Sequence, residues 1–228
     1  LNIANSSSFT TEFWIKPYGV ETTGSALVVG KQSTGANIRG WSVWLSCSDD
    51  STTENGLLKP SSFTLVTSLQ DGKGAYQHGP SGSLGTIDQG KYSHVAITYD
   101  GTSKFKSYIN GVYSSTFTSA STANANYNSD GDFLVTTGAI DVSNNKWGWG
   151  GYAFTDDTQL RLSPKLSASI DDLRIWNTER NATNIKRYYN QQILSETGSL
   201  LGYWKFNNLH KMPFAVSDWS SLPESVVL

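Results

Sequence analysis

The chain of 228 residues contains a single cysteine, Cys47, so no disulfide can form within it and no cysteine-based metal site is available. Charge is scarce as well. Asp, Glu, Lys and Arg make up 16% of the residues, and 17 basic against 19 acidic side chains leave a formal net charge of -2. That balance offers no electrostatic footprint for a polyanion, so nucleic acid is not an expected partner. No apolar run approaches the ~18 residues of a membrane span, and membrane insertion is not expected. The histidines, His78, His94 and His210, lack the spacing of a zinc site, and no serine stands in a nucleophile-elbow pattern. The opening Leu1-Asn2-Ile3-Ala4-Asn5 has neither the basic nor the apolar region of a signal peptide, so a segment excised from a larger protein is expected.

What is present is uncharged and β-like. Ser, Thr, Asn and Gly are plentiful, aromatics reach 12%, and Trp occurs 8 times. Period-two alternation recurs along most of the chain. In Phe9-Thr10-Thr11-Glu12-Phe13-Trp14-Ile15-Lys16, residues 9, 13 and 15 share one face and 10, 12 and 16 the other, until Pro17 and Gly19 interrupt the pattern. Further strands are expected over 25–31, 41–46, 63–69 and 93–99. Asp100-Gly101 and Asn110-Gly111 tolerate the positive φ of tight hairpins and predict a three-stranded antiparallel meander over 93–117. Residues 119–132 read as a polar surface loop, 133–137 and 169–176 as strands, 141–166 as a second irregular segment and 200–207 as a closing strand. One helix is expected, over 183–194, where Ile185, Tyr188, Tyr189 and Gln192 keep a period near 3.6 and Thr178 or Thr183 supplies the cap. With no linker and no repeat, residues 1–228 read as one domain. Many short antiparallel strands imply a sandwich or a barrel, and the two long irregular connections favour the sandwich.

Four segments in order carry a family resemblance: 9–17, His94-Val95-Ala96-Ile97-Thr98-Tyr99-Asp100-Gly101, Tyr108-Ile109-Asn110-Gly111-Val112, and Ile170-Asp171-Asp172-Leu173-Arg174-Ile175-Trp176-Asn177. Together with Leu201-Gly202-Tyr203-Trp204-Lys205-Phe206 they resemble laminin G-like domains of the concanavalin A-like lectin-glucanase group, in its pentraxin-like branch. The resemblance covers residues 8–207 and implies an all-β, two-sheet antiparallel jelly roll. It leaves function open, because such scaffolds host lectins, adhesion modules and hydrolases alike. The family usually has a strand before the one at Phe9; here that edge is either truncated or filled by another segment.

Hydrolases of this fold need two carboxylates flanking the glycosidic bond, about 5–5.5 Å apart for retention. Laminarinase-type relatives place them as Glu-x-Asp-x-x-Glu. This chain has no such run: Glu12, Glu21, Glu54, Glu179, Glu196 and Glu224 are scattered. An enzyme is therefore not expected. The resemblance implies a structural calcium ion at Asp171 and Asp172, at the head of the strand that ends in Trp176. The other reading pairs one of these carboxylates with Arg174 or Lys186.

Outside the family pattern, Trp147-Gly148-Trp149-Gly150-Gly151-Tyr152-Ala153-Phe154 is the feature that speaks to function. Indole and phenol rings suit the C–H faces of pyranoses, and neighbouring polar side chains bind hydroxyls. Trp147, Trp149 and Tyr152 are the candidate stacking residues, and Asn144, Asn145 and Asp157 the candidate hydrogen-bonding ones. The competing reading packs these rings onto the sandwich as a satellite core. Trp41 and Trp44 fall on opposite faces of one strand, so one belongs to the core and the other is available to line a sheet. The expected function is a non-catalytic, lectin-like module of a secreted or cell-surface protein, binding oligo- or polysaccharide with micromolar to millimolar affinity. The alternatives are a protein-binding adhesion or spacer domain that meets neighbouring domains and, less favoured, a glycoside hydrolase.

Overall fold

A computed structural model describes residues 7–21, 25–32, 39–47, 52–54, 57–71, 82–118, 133–135, 152–156, 159–162, 166–193 and 198–206. In chain order the strands are β1 (Phe9–Glu21), β2 (Ser25–Gln32), β3 (Arg39–Ser46), β4 (Thr52–Glu54), β5 (Leu57–Lys59), β6 (Ser62–Asp71), β7 (Gly82–Asp88), β8 (Ser93–Tyr99), β9 (Lys104–Ile109), β10 (Val112–Thr118), β11 (Phe133–Val135), β12 (Tyr152–Asp156), β13 (Gln159–Leu162) and β14 (Leu166–Trp176). Helix α1 (Ala182–Tyr188) and β15 (Leu200–Trp204) follow.

The strands form a two-sheet antiparallel jelly-roll sandwich. One sheet runs β10-β9-β8-β1-β14-β15, with β5 and β4 continuing from the far end of β1; the other runs β11-β2-β3-β6-β7. Alternation in β1 builds the core. Phe9, Phe13 and Ile15 are buried between the sheets, where they join Trp41, Val43 and Leu45 of β3 and Phe63 and Leu65 of β6. The Phe9 ring lies 5.3 Å from that of Trp41 and 5.6 Å from that of Tyr99, so aromatic contact spans the two layers. Fully burying one such side chain contributes about 1.5–3 kcal/mol. Strand β1 lies between β8, which pairs with Phe9–Ile15, and β14, which pairs with Thr10–Val20.

The meander forms as expected, and its turns show why. Asp100 Oδ1 accepts hydrogen bonds from the backbone N–H groups of Thr102, Ser103 and Lys104 at 2.8, 2.8 and 3.0 Å. At the second turn, Asn110 and Gly111 both have positive φ, 52° and 74°, as a type I′ hairpin requires. Asn110 Oδ1 also accepts from the His94 N–H at 2.9 Å, joining the turn to the next strand.

Two expectations are corrected. Residues 141–166 are not irregular throughout: β12 and β13 pair as a hairpin, Tyr152 opposite Leu162 and Phe154 opposite Leu160. The alternation at 152, 154, 160 and 162 is strand-like, and the adjoining glycine-rich sequence hid it. The helix is also shorter than 183–194. It ends at Tyr188, and its cap is Asn181, whose Oδ1 accepts from the Asn184 N–H at 2.8 Å. Its C-terminal end is set by the sheet beneath. Arg174 Nη1 donates to the Tyr188 carbonyl at 3.1 Å, Arg174 Nη2 to that of Gln191 at 2.6 Å, and Trp14 Nε1 to that of Tyr189 at 3.2 Å. Side chains therefore take the carbonyls that a continuing helix would use.

Helix α1 lies on the outer face of the eight-stranded sheet, where Ile185 is fully buried against Ala96 and Tyr108. Gly111 lets the meander approach this segment, since a Cβ there would come within 2.8 Å of the Tyr189 ring. Among the described residues, no helix is long and apolar enough to cross a membrane.

Candidate functional site

The outer faces of the two sheets carry the chemistry. On the five-stranded sheet, Trp41 is buried in the core while Trp44 is half-buried on the opposite face of the same strand. Trp44 lies opposite Val66 on β6, and Ser46 opposite Thr64, so hydroxyl side chains flank the indole. Its Nε1 donates to Ser42 Oγ at 2.8 Å, which fixes the ring relative to the strand.

Of the residues expected to bind sugar, Asn144, Asn145, Trp147, Trp149 and Asp157 lie outside the described residues. Tyr152 opens β12, the strand that pairs with β13.

Asp171 and Asp172 lie at a kink in β14, where Asp172 has a φ of 49°. The Asp171 carboxylate accepts from the Asp172 N–H at 2.9 Å; burial pushes its carboxyl up, and the neighbouring charge of Asp172 adds to that. Asp172 is engaged on both oxygens. Oδ1 accepts from the Tyr203 hydroxyl at 2.7 Å, and Oδ2 lies 3.4 Å from Arg174 Nη2. Burial, with the hydrogen bond to Asp172, pushes the Tyr203 phenol up to about 12. For a hard cation such as calcium, Asp171 fits as an oxygen ligand, whereas Asp172 already has a phenol and a guanidinium as partners. Among the described residues, no three His, Cys, Asp or Glu side chains come together to hold a metal ion.

Sequence reasoning missed a buried ionic knot beneath α1. Glu12 is fully buried, with Oε1 bonded to Arg180 Nη1 and Oε2 lying 3.7 Å from both Arg174 Nη1 and His94 Nε2. Burial pushes the Glu12 carboxyl up, but the facing His94 and the charge of Arg180 more than offset this and hold it below its ordinary value. The Arg180 guanidinium lies 4.3 Å from the centre of the Trp176 ring, and its backbone N–H donates to Thr10 Oγ1 at 2.9 Å. His94 lies between Trp14 and Tyr189, with ring centres at 5.5 and 5.6 Å. A carboxylate beside an imidazole looks like an acid-base pair. Here, however, Glu12 and His94 are 0% and 1% exposed, so no substrate reaches them, and the group ties α1 to the sheet.

Comparison with known proteins agrees with this architecture. The family model of laminin G type, described as the concanavalin A-like lectin/glucanases superfamily, matches residues 1–186. No curated protein matches. A candidate carbohydrate-binding protein from Bacteroides ovatus has a similar solved structure, with 17% identity, a TM-score of 0.54, and coverage of 90% of this chain and 46% of that one. The heptameric SAP-like pentraxin of Limulus polyphemus has 15% identity, a TM-score of 0.49, and coverage of 81% of this chain and 70% of that one. For the receptor-binding domain of botulinum neurotoxin D the values are 16%, 0.46, 84% and 39%. The chain thus spans less than half of the Bacteroides and toxin structures.

Proposed function

Because the chain belongs to the concanavalin A-like lectin/glucanases superfamily, we propose that it is a non-catalytic carbohydrate-binding module of a secreted or cell-surface protein, one domain of a larger chain. The observation that carries the reading is Trp44, an indole on the outward face of the five-stranded sheet among hydroxyl side chains. Aromatic faces meeting pyranose C–H groups, with small hydroxyls nearby, are the ordinary means of holding a neutral sugar. Trp147, Trp149 and Tyr152, with Asn144, Asn145 and Asp157, belong to the same proposal as a second set of stacking and hydrogen-bonding groups. The absence of a Glu-x-Asp-x-x-Glu run and the sequestration of Glu12 support binding without cleavage. The Bacteroides relative, itself a candidate carbohydrate-binding protein, is consistent with this reading.

The proposal includes a structural calcium ion held through Asp171, with Asp172 secondary because its oxygens are engaged. A glycan array run with and without a chelator tests both parts. Retention of neutral glycans that is lost in Trp44→Ala, or in Trp147→Ala with Trp149→Ala, while the melting temperature holds, supports the sugar site. A chelator that leaves binding and melting unchanged removes the calcium. A silent array favours instead a protein-binding spacer, for which Val112 and Tyr113, exposed on the edge strand β10, provide the surface. Release of reducing sugar from a polysaccharide panel would overturn the non-catalytic reading.

A further inference from the structure

Helix α1 and the turn after it cover only part of the outer face of the eight-stranded sheet. Along β1 the outward residues are Thr10, Glu12, Trp14, Lys16 and Tyr18. The first three are tied to the helical segment and its flanks, through Thr178, Arg180 and Tyr189 respectively. Lys16 and Tyr18 lie beyond that cover. The register places Ser169 of β14 opposite Lys16, and Ser93 of β8 opposite Ile15, which brings Tyr92 alongside Lys16 on the other flank.

The outcome is an ammonium between two phenol rings. Lys16 Nζ lies 5.4 Å from the centre of the Tyr18 ring and 5.6 Å from that of Tyr92. Tyr18 is 36% and Tyr92 53% exposed, which makes them two of the largest open apolar side chains among the described residues. Both are held in place. The Tyr18 hydroxyl meets Ser169 Oγ at 3.5 Å, and Gln89 Nε2 donates to the Tyr18 carbonyl at 3.1 Å. The Gly90 N–H donates to the Pro17 carbonyl at 2.7 Å, pinning to β1 the turn that carries Tyr92. Lys16 makes no ion pair with a described carboxylate. The neighbouring cation Lys91 is taken by Asp88 at 2.9 Å, and the charges acting on Asp171 are those of Asp172 and Arg174.

We infer that Tyr18, Lys16 and Tyr92 form a further saccharide site, on the sheet opposite Trp44, that takes an acidic sugar. The rings offer flat faces to the C–H side of a pyranose. The ammonium between them supplies the one strong charge, and it matches a carboxylate on that ring; a hexuronate residue places the carboxylate and an apolar face on the same ring. Ser169 and Gln89 are the hydroxyl partners at the margin. The inference does not depend on the Trp44 or Trp147 site, because none of its residues is shared.

The test is a titration of the whole chain with an oligogalacturonate, with its methyl ester, and with an acidic peptide of equal charge, followed by calorimetry and by amide shifts of residues 16, 18, 89–93 and 169. The oligogalacturonate is expected to bind about five- to tenfold more tightly than its ester, in line with one charge-assisted hydrogen bond. Lys16→Gln should remove that preference, Tyr92→Ala should abolish binding, and Tyr92→Phe should retain it, all with the melting temperature nearly unchanged. Equal binding of the ester, or of the peptide, overturns the inference, as does the absence of any oligogalacturonate binding by the unsubstituted chain. Loss of binding in the Trp147→Ala, Trp149→Ala double variant, with Lys16→Gln silent, assigns the acidic sugar to the other site and likewise overturns it. Failure of the neutral-sugar proposal alone leaves these readouts unaffected.

Discussion

The outer face of the eight-stranded sheet is polar along most of β1, yet its two halves have different fates. Under α1 the polar groups are Glu12, Arg174, Arg180 and His94, all buried and turned towards one another. Beyond α1 they are Lys16, Tyr18 and Tyr92, which remain at the surface. The same period-two pattern produces both, and it is the helical segment laid across one half that decides the role of each. Where cover is present, a charge must find a partner, because burying it alone costs several kcal/mol or more. Where cover is absent, the same kind of residue stays available to a ligand.

Substitutions test this contrast, beginning with the largest effect. Glu12→Gln leaves the buried Arg180 guanidinium without its counterion and removes one of the two carboxylates that face Arg174, and should cost about 3–5 kcal/mol, read as a fall in the urea midpoint. A loss below about 1 kcal/mol would mean that the knot does not hold α1 down. Acidification acts on the same group. The folded Glu12 carboxyl lies below its ordinary value, so the stability it contributes is present above the ordinary carboxylate range and is lost as pH falls through the folded value. The melting temperature should therefore drop below about pH 4, and Glu12→Gln should flatten that dependence. Gly111→Ala meets both a φ of 74° and the Tyr189 ring at 2.8 Å, and should cost about 1–2 kcal/mol by equilibrium unfolding. At the small end, Lys91→Ala removes an ion pair whose side chains are 74% and 58% exposed, and the denaturation curve should not move.

Much of the fold is legible from alternation, because a half-buried strand must alternate to place one face in the core. β8 coincides with the expected 93–99, and the Asn110-Gly111 turn forms where only positive φ would do. The strand β7 escapes notice because Gly82-Ser83-Leu84-Gly85-Thr86-Ile87-Asp88 offers two apolar residues among small ones, and β4 and β5 are only three residues each. The helix end is not written locally, since Arg174 and Trp14, distant in sequence, take the carbonyls of Tyr188, Gln191 and Tyr189. Glu12 misleads for the same reason. A glutamate on the polar side of a strand reads as solvated, and its burial follows from the segment around Arg180, 168 residues further on, that packs against it. Of the candidate site, Trp41 and Trp44 separate to opposite faces as period two demands, whereas the Lys16 platform could not be read, because Tyr92 reaches it only through the fold.

The bond between Arg180 and Glu12 joins positions separated by 168 residues, and β1 makes its longest pairing with β14. A chain growing from its N-terminus therefore presents this carboxylate long before the cations that neutralise it have been made. One flank of β1 stays open over the same interval. Such late closure belongs to slow, topologically demanding assembly, in which an unfinished edge is exposed to other chains. Truncation anywhere before residue 180 should thus yield a product that associates with its own copies rather than a smaller version of the domain.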